Sequence, residues 1–408
     1  MKWKNIEKPK RKDKIKLIWY SNSPTIPTGF AKILREVLTR LATNSRYECY
    51  ALGENHIGPP IDFNGFKIIG RNRNEKEIDT VKRWLKELNP DVFLTLEDSF
   101  TLFNQGFHTV KFDTPWIAYL PMDGKMIPTG GTEIIRNCTK PVAMSIFTKR
   151  VIEGENFDCD LILHGVDLYD FRPAQVEEKT FIREKYGFKK DDIIVGIFAR
   201  NSIRKRNQRF LEAAVLACME NPKLKFFCHI MGYKAHDLDC EEFIKRNMFV
   251  KYGIDMVKEG KIIFNKKSIS PFFNVSDNEV AEYLRMCDFT ASSTSGEGSG
   301  LLMPESMACG IPSIHTDYTT PYEWLIDSWD GKYEKRGLLA KIESVDTTSY
   351  NVEHALVDII DLKDKILKLA KDKELCEKMG KEGRRFVEEK IDWNKLINEW
   401  IRVIEEVV

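Results

Sequence analysis

Excess charge of either sign is nearly absent: 63 Lys and Arg stand against 62 Asp and Glu, a formal net charge of +1 over 408 residues. So balanced a chain has no whole-molecule field to gather nucleic acid or anionic lipid, and an anionic ligand must be held by a local site. Long hydrophobic runs are missing too. No stretch of about 18 consecutive apolar residues occurs, which argues against a membrane-spanning helix. The run Ile15–Tyr20 is too short and too β-like for the apolar core of a secretion signal. The nine cysteines include no Cys-x-x-Cys pair. Their odd number and apolar settings, such as Phe226-Phe227-Cys228, suit reduced, buried thiols of a cytoplasmic protein better than a disulfide framework. Internal repeats, low-complexity tracts and a Walker loop are likewise absent.

What is present is a globular composition, 42% hydrophobic and 31% charged, expected of a soluble folded protein. The length exceeds what one core organises and predicts about two domains of ~100–200 residues. Eight Lys and Arg crowd Met1–Lys16 against Glu7 and Asp13, which reads as a solvated tail or as peripheral attachment to an anionic membrane face.

Short apolar runs alternate with amphipathic stretches. Lys14–Tyr20, Tyr47–Leu52, Asp91–Leu96, Trp116–Leu120, Val142–Ser145 and Leu161–Leu163 read as buried strands, with helical spacing over Phe30–Thr43 and Glu75–Leu88. After a polar linker near residues 172–190 the pattern restarts, with strands at Ile193–Phe198, Lys225–Ile230, Lys261–Phe264, Phe289–Ala291 and Ser313–His315. Helices are expected at Gln208–Glu220, Asp277–Met286 and Glu305–Ala308, followed by a charged helical end over Leu356–Val408. Such alternation predicts two α/β halves on mostly parallel sheets.

The most informative stretch is Ser295-Gly296-Glu297-Gly298-Ser299-Gly300-Leu301-Leu302-Met303-Pro304-Glu305. Alternating glycines let a backbone approach a ligand closely, and Pro304 suits the first turn of a helix that Gly310 would end. Free N–H groups in such a loop favour a phosphate. Glu297 and Glu305 would repel one, so they fit hydroxyls on either side of it, as a nucleotide-sugar offers. A plain glycine-rich turn with two solvated glutamates is the alternative. A second cluster, Arg200-Asn201-Ser202-Ile203-Arg204-Lys205-Arg206, follows a strand and precedes a helix, where open α/β sheets bind ligands. There it reads as a diphosphate clamp rather than a solvated face.

With these segments in view, the chain resembles the retaining GT-B glycosyltransferases of family 4. Their E-x7-E signature reads here as Glu297…Glu305 in EGSGLLMPESMACGIPSI, and the likeness extends to Thr28-Gly29-Phe30, to AYLPMDG, and to VAMSIFTKRVI with LILHGVDLYDFRP. The resemblance implies two facing Rossmann-like domains, residues 1–172 and 173–385, with a final helix over 386–408 crossing back to the first. It implies metal-independent hexosyl transfer with retention, from a nucleotide-diphosphate sugar such as a UDP- or GDP-sugar to a glycan, lipid or protein hydroxyl, with no cofactor and no nucleic-acid partner. Arg200 and Lys205 would bind the diphosphate, Glu305 the ribose and Glu297 the sugar, while N–H groups of Gly298, Ser299, Gly300 and Leu301 cradle the donor. Gly29 would let the first domain's loop close over it. A non-catalytic nucleotide-sugar binder, or an epimerase or phosphorylase on the same architecture, are the alternatives.

Where many relatives have a histidine after the Pro-Asp-Val strand, this chain reads Leu96-Glu97-Asp98. Asp98 or Glu97 would take over a sugar-side role, with His108 as a neighbouring alternative and Asp123 either facing the acceptor or forming a turn. Several look-alikes are set aside. Asp158-Cys159-Asp160 and Asp237-Leu238-Asp239 have the form of a metal-binding D-x-D without its setting, and Gly296-x-Gly298-x-Gly300 has Leu301 where a dinucleotide fingerprint needs glycine. His229 and His236 lack ligand-spaced partners, and His164 reads as structural.

Overall fold

A computed structural model describes residues 14–234, 238–270 and 275–408. The basic residues up to Lys12, His236 and Asp237 therefore lie outside the described residues. The apolar runs become strands buried on both faces, as parallel sheets covered by helices require. The first sheet runs in the order β3-β4-β2-β1-β5-β6-β7-β8, with β1 (Ile15–Ser21), β2 (Tyr47–Ile57), β3 (Ile61–Phe63), β4 (Phe66–Arg71), β5 (Val92–Leu96), β6 (Trp116–Leu120), β7 (Lys140–Ala143) and β8 (Asp160–Leu161). Only the β3–β4 hairpin is antiparallel. Its helices are α1 (Gly29–Ala42), α2 (Glu77–Leu88), α3 (Ser99–Asn104), α4 (Gly131–Asn137) and α5 (Ile146–Gly154). Thr28 caps α1 by accepting from the Ala31 N–H.

The second sheet, β11-β10-β9-β12-β13-β14, is parallel throughout. It comprises β9 (Ile193–Arg200), β10 (Leu224–Met231), β11 (Ile262–Phe264), β12 (Phe289–Ala291), β13 (Ser313–Thr316) and β14 (Gly337–Ala340). Counted within this half, that is the doubly wound order 3-2-1-4-5-6, which opens a crevice where the order reverses, between β9 and β12. Around it lie α6 (Val176–Lys185), α7 (Asn207–Glu220), α8 (Cys240–Glu242), α9 (Phe249–Tyr252), α10 (Asp277–Met286), α11 (Leu302–Ala308), α12 (Pro321–Leu325), α13 (Ile359–Lys371) and α14 (Lys373–Lys390). The stretch expected to be a bare linker contains α6. A capping box of Gln175 and Glu178 starts that helix, and Arg183 Nη2, 2.7 Å from Asp288 Oδ1, docks it on the second half.

The crossing helix is α15 (Trp393–Glu405), and it begins later than the sequence suggests. Phe386 belongs to α14 and packs edge-on against Trp324 in the second half, while Asp392 restarts the helix as its N-cap. The Val166 N–H donates to the Ile391 carbonyl (2.8 Å) at the crossing, and Trp400 then lies 4.7 Å from Trp19 and 4.8 Å from Tyr119 between ring centroids.

An antiparallel hairpin, β15 (Ile342–Thr347) and β16 (Glu353–Val357), has no counterpart in the sequence reading. It bridges the halves: the Thr129 N–H donates to the Tyr350 carbonyl (3.0 Å), Tyr350 stacks on Phe100 at 3.9 Å, and the Ala355 N–H donates to the Ser295 carbonyl (2.9 Å). All nine cysteines are unpaired thiols, every one buried except Cys138, which is half-buried. Among the described residues no helix is long and apolar enough to cross a membrane.

Candidate functional site

The strand ends at the crevice are stitched together by serines. Ser293 Oγ donates to the carbonyls of Lys205 (3.0 Å) and Arg206 (2.8 Å), and the Ser295 N–H and Oγ both donate to the Arg204 carbonyl (2.8 Å each). These bonds hold a 3-10 turn over Ile203–Lys205 and force Arg206 to φ 48°, a left-handed conformation that a residue with a side chain adopts at a cost of about 1–2 kcal/mol. The turn presents Arg204 and Lys205 to the loop after β12.

A continuous chain of charge results. Lys205 Nζ pairs with Glu297 Oε1, Arg204 Nη1 lies 3.1 Å from Glu297 Oε2, and Arg204 Nε lies 3.3 Å from Asp123 Oδ2. His354 Nε2 from the hairpin lies 3.5 Å from Asp123 Oδ1. Burial works against the charge of Glu297, but Lys205 and Arg204 together prevail and hold its carboxyl well below the usual carboxylate range. For Asp123, burial is likewise outweighed by the His354 hydrogen bond and by Arg204. Asp98 has no such partner. Burial and then the Asp123 carboxylate push it up to about 7 against the pull of Arg204. Glu97, raised by burial and by Asp98, reaches about 8.

The glycine loop crosses this cluster. A Cβ on Gly296 would sit 1.8 Å from the Asp123 carbonyl oxygen, and one on Gly298 2.5 Å from Pro121 Cβ. The close approach that excludes side chains at these two positions is thus to the Pro-Met-Asp-Gly segment of the other domain. Gly300, at φ 79°, is required by its backbone. None of the N–H groups of Gly298, Ser299, Gly300 and Leu301 has an acceptor among the described residues, and Ser299 Oγ is buried without a partner. Four such donors beside two cations form a cradle for an anion or for several hydroxyls. The helix after the loop starts at Leu302, so Pro304 falls in its first turn, as the sequence reading has it. Across the crevice, a Cβ on Gly29 would lie 3.2 Å from Leu301 Cδ1, and Glu305 Oε1 lies 2.7 Å from Lys32 Nζ.

The remaining expected residues fall elsewhere. Arg200 is exposed at the end of β9, its guanidinium without a partner among the described residues, while Lys205 and Arg204 are the cations against Glu297. His108 is engaged by Phe103, whose carbonyl lies 2.9 Å from Nδ1 and whose ring stacks on it at 4.0 Å. His164 is buried against Tyr119 and lowered by burial to about 3; His229, lowered by burial to about 4, pairs with Asn265 at 2.9 Å. Asp160 pairs with Lys140 at 2.8 Å, and Asp158 is exposed. Sequence reasoning missed Lys32 and His354 altogether. Lys32 follows Thr-Gly-Phe at helical spacing and could have been suspected, whereas no local pattern marks His354.

Known proteins resemble this chain in sequence and in fold. The family model described as glycosyl transferases group 1 matches residues 178–386. The EpsD protein of Bacillus subtilis, named as a glycosyltransferase, is 26% identical over 221 residues, 54% of this chain and 48% of that protein. The N-acetyl-alpha-D-glucosaminyl L-malate synthase of Bacillus anthracis is 28% identical over 137 residues, 34% of this chain and 30% of that one. These matches span half or less of the length of the curated relatives. Among solved structures, sucrose-phosphate synthase from Thermosynechococcus elongatus aligns with TM-score 0.73 at 15% identity, covering 97% of this chain and 99% of that one. Anabaena HepE in complex with UDP-glucose aligns with TM-score 0.70 at 12% identity, covering 96% and 100%. With a fold of the GT-B type and a family match over more than half of its length, the chain belongs to the glycosyl transferases group 1 family.

Proposed function

We propose that the protein is a retaining, metal-independent glycosyltransferase that moves a sugar from a nucleoside-diphosphate sugar to a hydroxyl acceptor in the cleft between its domains. The observation that carries this reading is the meeting of Lys205, Arg204 and Glu297 with the four unpaired N–H groups of Gly298–Leu301. The cations and N–H groups suit the donor diphosphate, and Arg200 would join them on donor binding. Glu297, ionised and only an acceptor, suits sugar hydroxyls; Glu305 suits those of the ribose. In the reaction the bond between the anomeric carbon and the leaving phosphate oxygen breaks. The acceptor oxygen bonds to the same face of that carbon, and its proton passes to the departing phosphate. Charge building on that phosphate is stabilised by Lys205 and Arg204, and domain closure keeps water from taking the acceptor's place. Asp98 would then serve the sugar side and Asp123 the acceptor side. The free cysteines suit a reducing, cytoplasmic setting.

The test is a panel of UDP-, GDP- and ADP-sugars. One nucleotide class is expected to raise the melting temperature, since a ligand selective for the folded state stabilises it, and to be turned over with release of nucleoside diphosphate. Lys205→Ala should lower that release about 100-fold or more, the size of a lost transition-state charge contact, and a chelator should leave it unchanged. Stabilisation without turnover would establish the non-catalytic binder instead, and the absence of any shift would remove the assignment.

A further inference from the structure

The first domain reaches into the second through a lysine to which the proposed reaction gives no role. Lys32 Nζ, from α1, lies 2.7 Å from Glu305 Oε1 and 3.1 Å from Asp277 Oδ1, and 4.3 Å above the Phe171 ring. Its side chain is only 15% exposed. Arg35, one turn on, lies 3.4 Å from the other oxygen of Asp277. Burial lowers the pKa of Lys32, but Glu305 and Asp277 outweigh it, so the ammonium stays charged. Glu305 Oε2 has no partner among the described residues.

We propose that Lys32 is a positioning residue for the nucleotide's ribose: with the cleft closed, its ammonium holds Oε1 of Glu305 and leaves Oε2 to accept from the ribose hydroxyls. The inference rests on the reading above in which Glu305 takes the ribose. An ionised carboxylate is only an acceptor and matches two hydroxyl donors; burial raises the pKa of Glu305 above its ordinary value, and Lys32 pulls against that rise. The cation that opposes this rise and orients the carboxylate comes from the opposite domain. Ribose recognition therefore depends on closure, and a bound ribonucleotide in turn favours the closed form.

The experiment is calorimetric titration of the full chain with UDP, GDP and ADP and with their 2′-deoxy forms, in wild type, Lys32→Gln and Lys32→Arg. The wild type should prefer the tightest ribonucleotide over its deoxy form. Lys32→Gln should weaken that ribonucleotide about 10-fold, the worth of one charge-assisted hydrogen bond, and change the deoxy form less than about two-fold. Lys32→Arg should keep most of the preference, and as the charge-retaining variant it carries the test if the glutamine variant does not melt cooperatively. Equal weakening of both nucleotides would overturn the proposal in favour of a purely structural pair. Tighter ribonucleotide binding by Lys32→Gln would overturn it by making Lys32 a competitor for Glu305. A wild type that binds nucleotide without ribose preference would overturn the proposal while nucleotide binding stood, and a wild type that binds none would remove the functional reading itself.

Discussion

Asp98 departs far from the ordinary behaviour of a carboxyl without having an ion-pair partner among the described residues. It titrates near 3.8 in the unfolded chain and near 7 in the fold, so between those values the folded state binds more protons and stability falls as pH rises through that window. Glu97 extends the effect to about 8. Asp98→Asn removes one of these groups and should flatten the decline: from pH 5 to pH 8 the variant should lose less stability than wild type, by on the order of 1–3 kcal/mol, read as the change in denaturation midpoint. Identical pH profiles would refute this, because every other titrating group is shared. Residue identity at the site was partly legible in the sequence. Glu297 and Lys205, which the family resemblance marked as donor-binding, meet in the fold, yet within Arg204-Lys205-Arg206 nothing local says which cation turns inward. The 3-10 turn and the serine bonds decide that, and they depend on contacts from the loop after β12, distant in sequence.

At the scale of elements, most of the parallel strands could be read because burial on both faces leaves continuous apolar runs, whereas β4 and β14 went unread. The β15–β16 hairpin could not, since most of β15 is exposed and polar and its pairing follows no apolar alternation. The glycine loop stands between these cases. Its need for small residues was visible, but the surface that enforces it at Gly296 and Gly298 belongs to the other domain. Gly296→Ala should consequently leave the second domain folded while preventing the loop from seating on Asp123. Small-angle scattering should show a larger radius of gyration than wild type, and nucleotide release from the donor should fall about 10-fold or more, as expected when reacting groups are displaced by about 1 Å. A variant with wild-type dimensions and activity would mean that the 1.8 Å approach is relieved by a local shift.

At the scale of the whole molecule, the chain's end stabilises its beginning. α15 places Trp400, fully buried, against Trp19 of β1 and Tyr119 of β6. Tyr47 Oη donates to Glu405 at 3.2 Å, and Arg46 pairs with the same carboxylate at 2.9 Å. The apolar spacing of Trp393, Leu396, Trp400, Val403 and Ile404 made an amphipathic helix legible, but only the family resemblance said which domain it would cover. Spacing fixes a face and not its partner, and the first sheet lies far away in sequence. Trp400→Ala removes a large buried ring at this junction and should cost about 3–5 kcal/mol. The loss should be unevenly distributed, because α14 and the second sheet do not rest on that ring. Hydrogen exchange should show faster opening of β1, β2 and β6, with β9, β10 and β12 retaining wild-type protection. Uniform loss across both sheets would mean that the two domains open as one cooperative unit, and the crossing helix would then stabilise the closed cleft as a whole rather than the first domain alone.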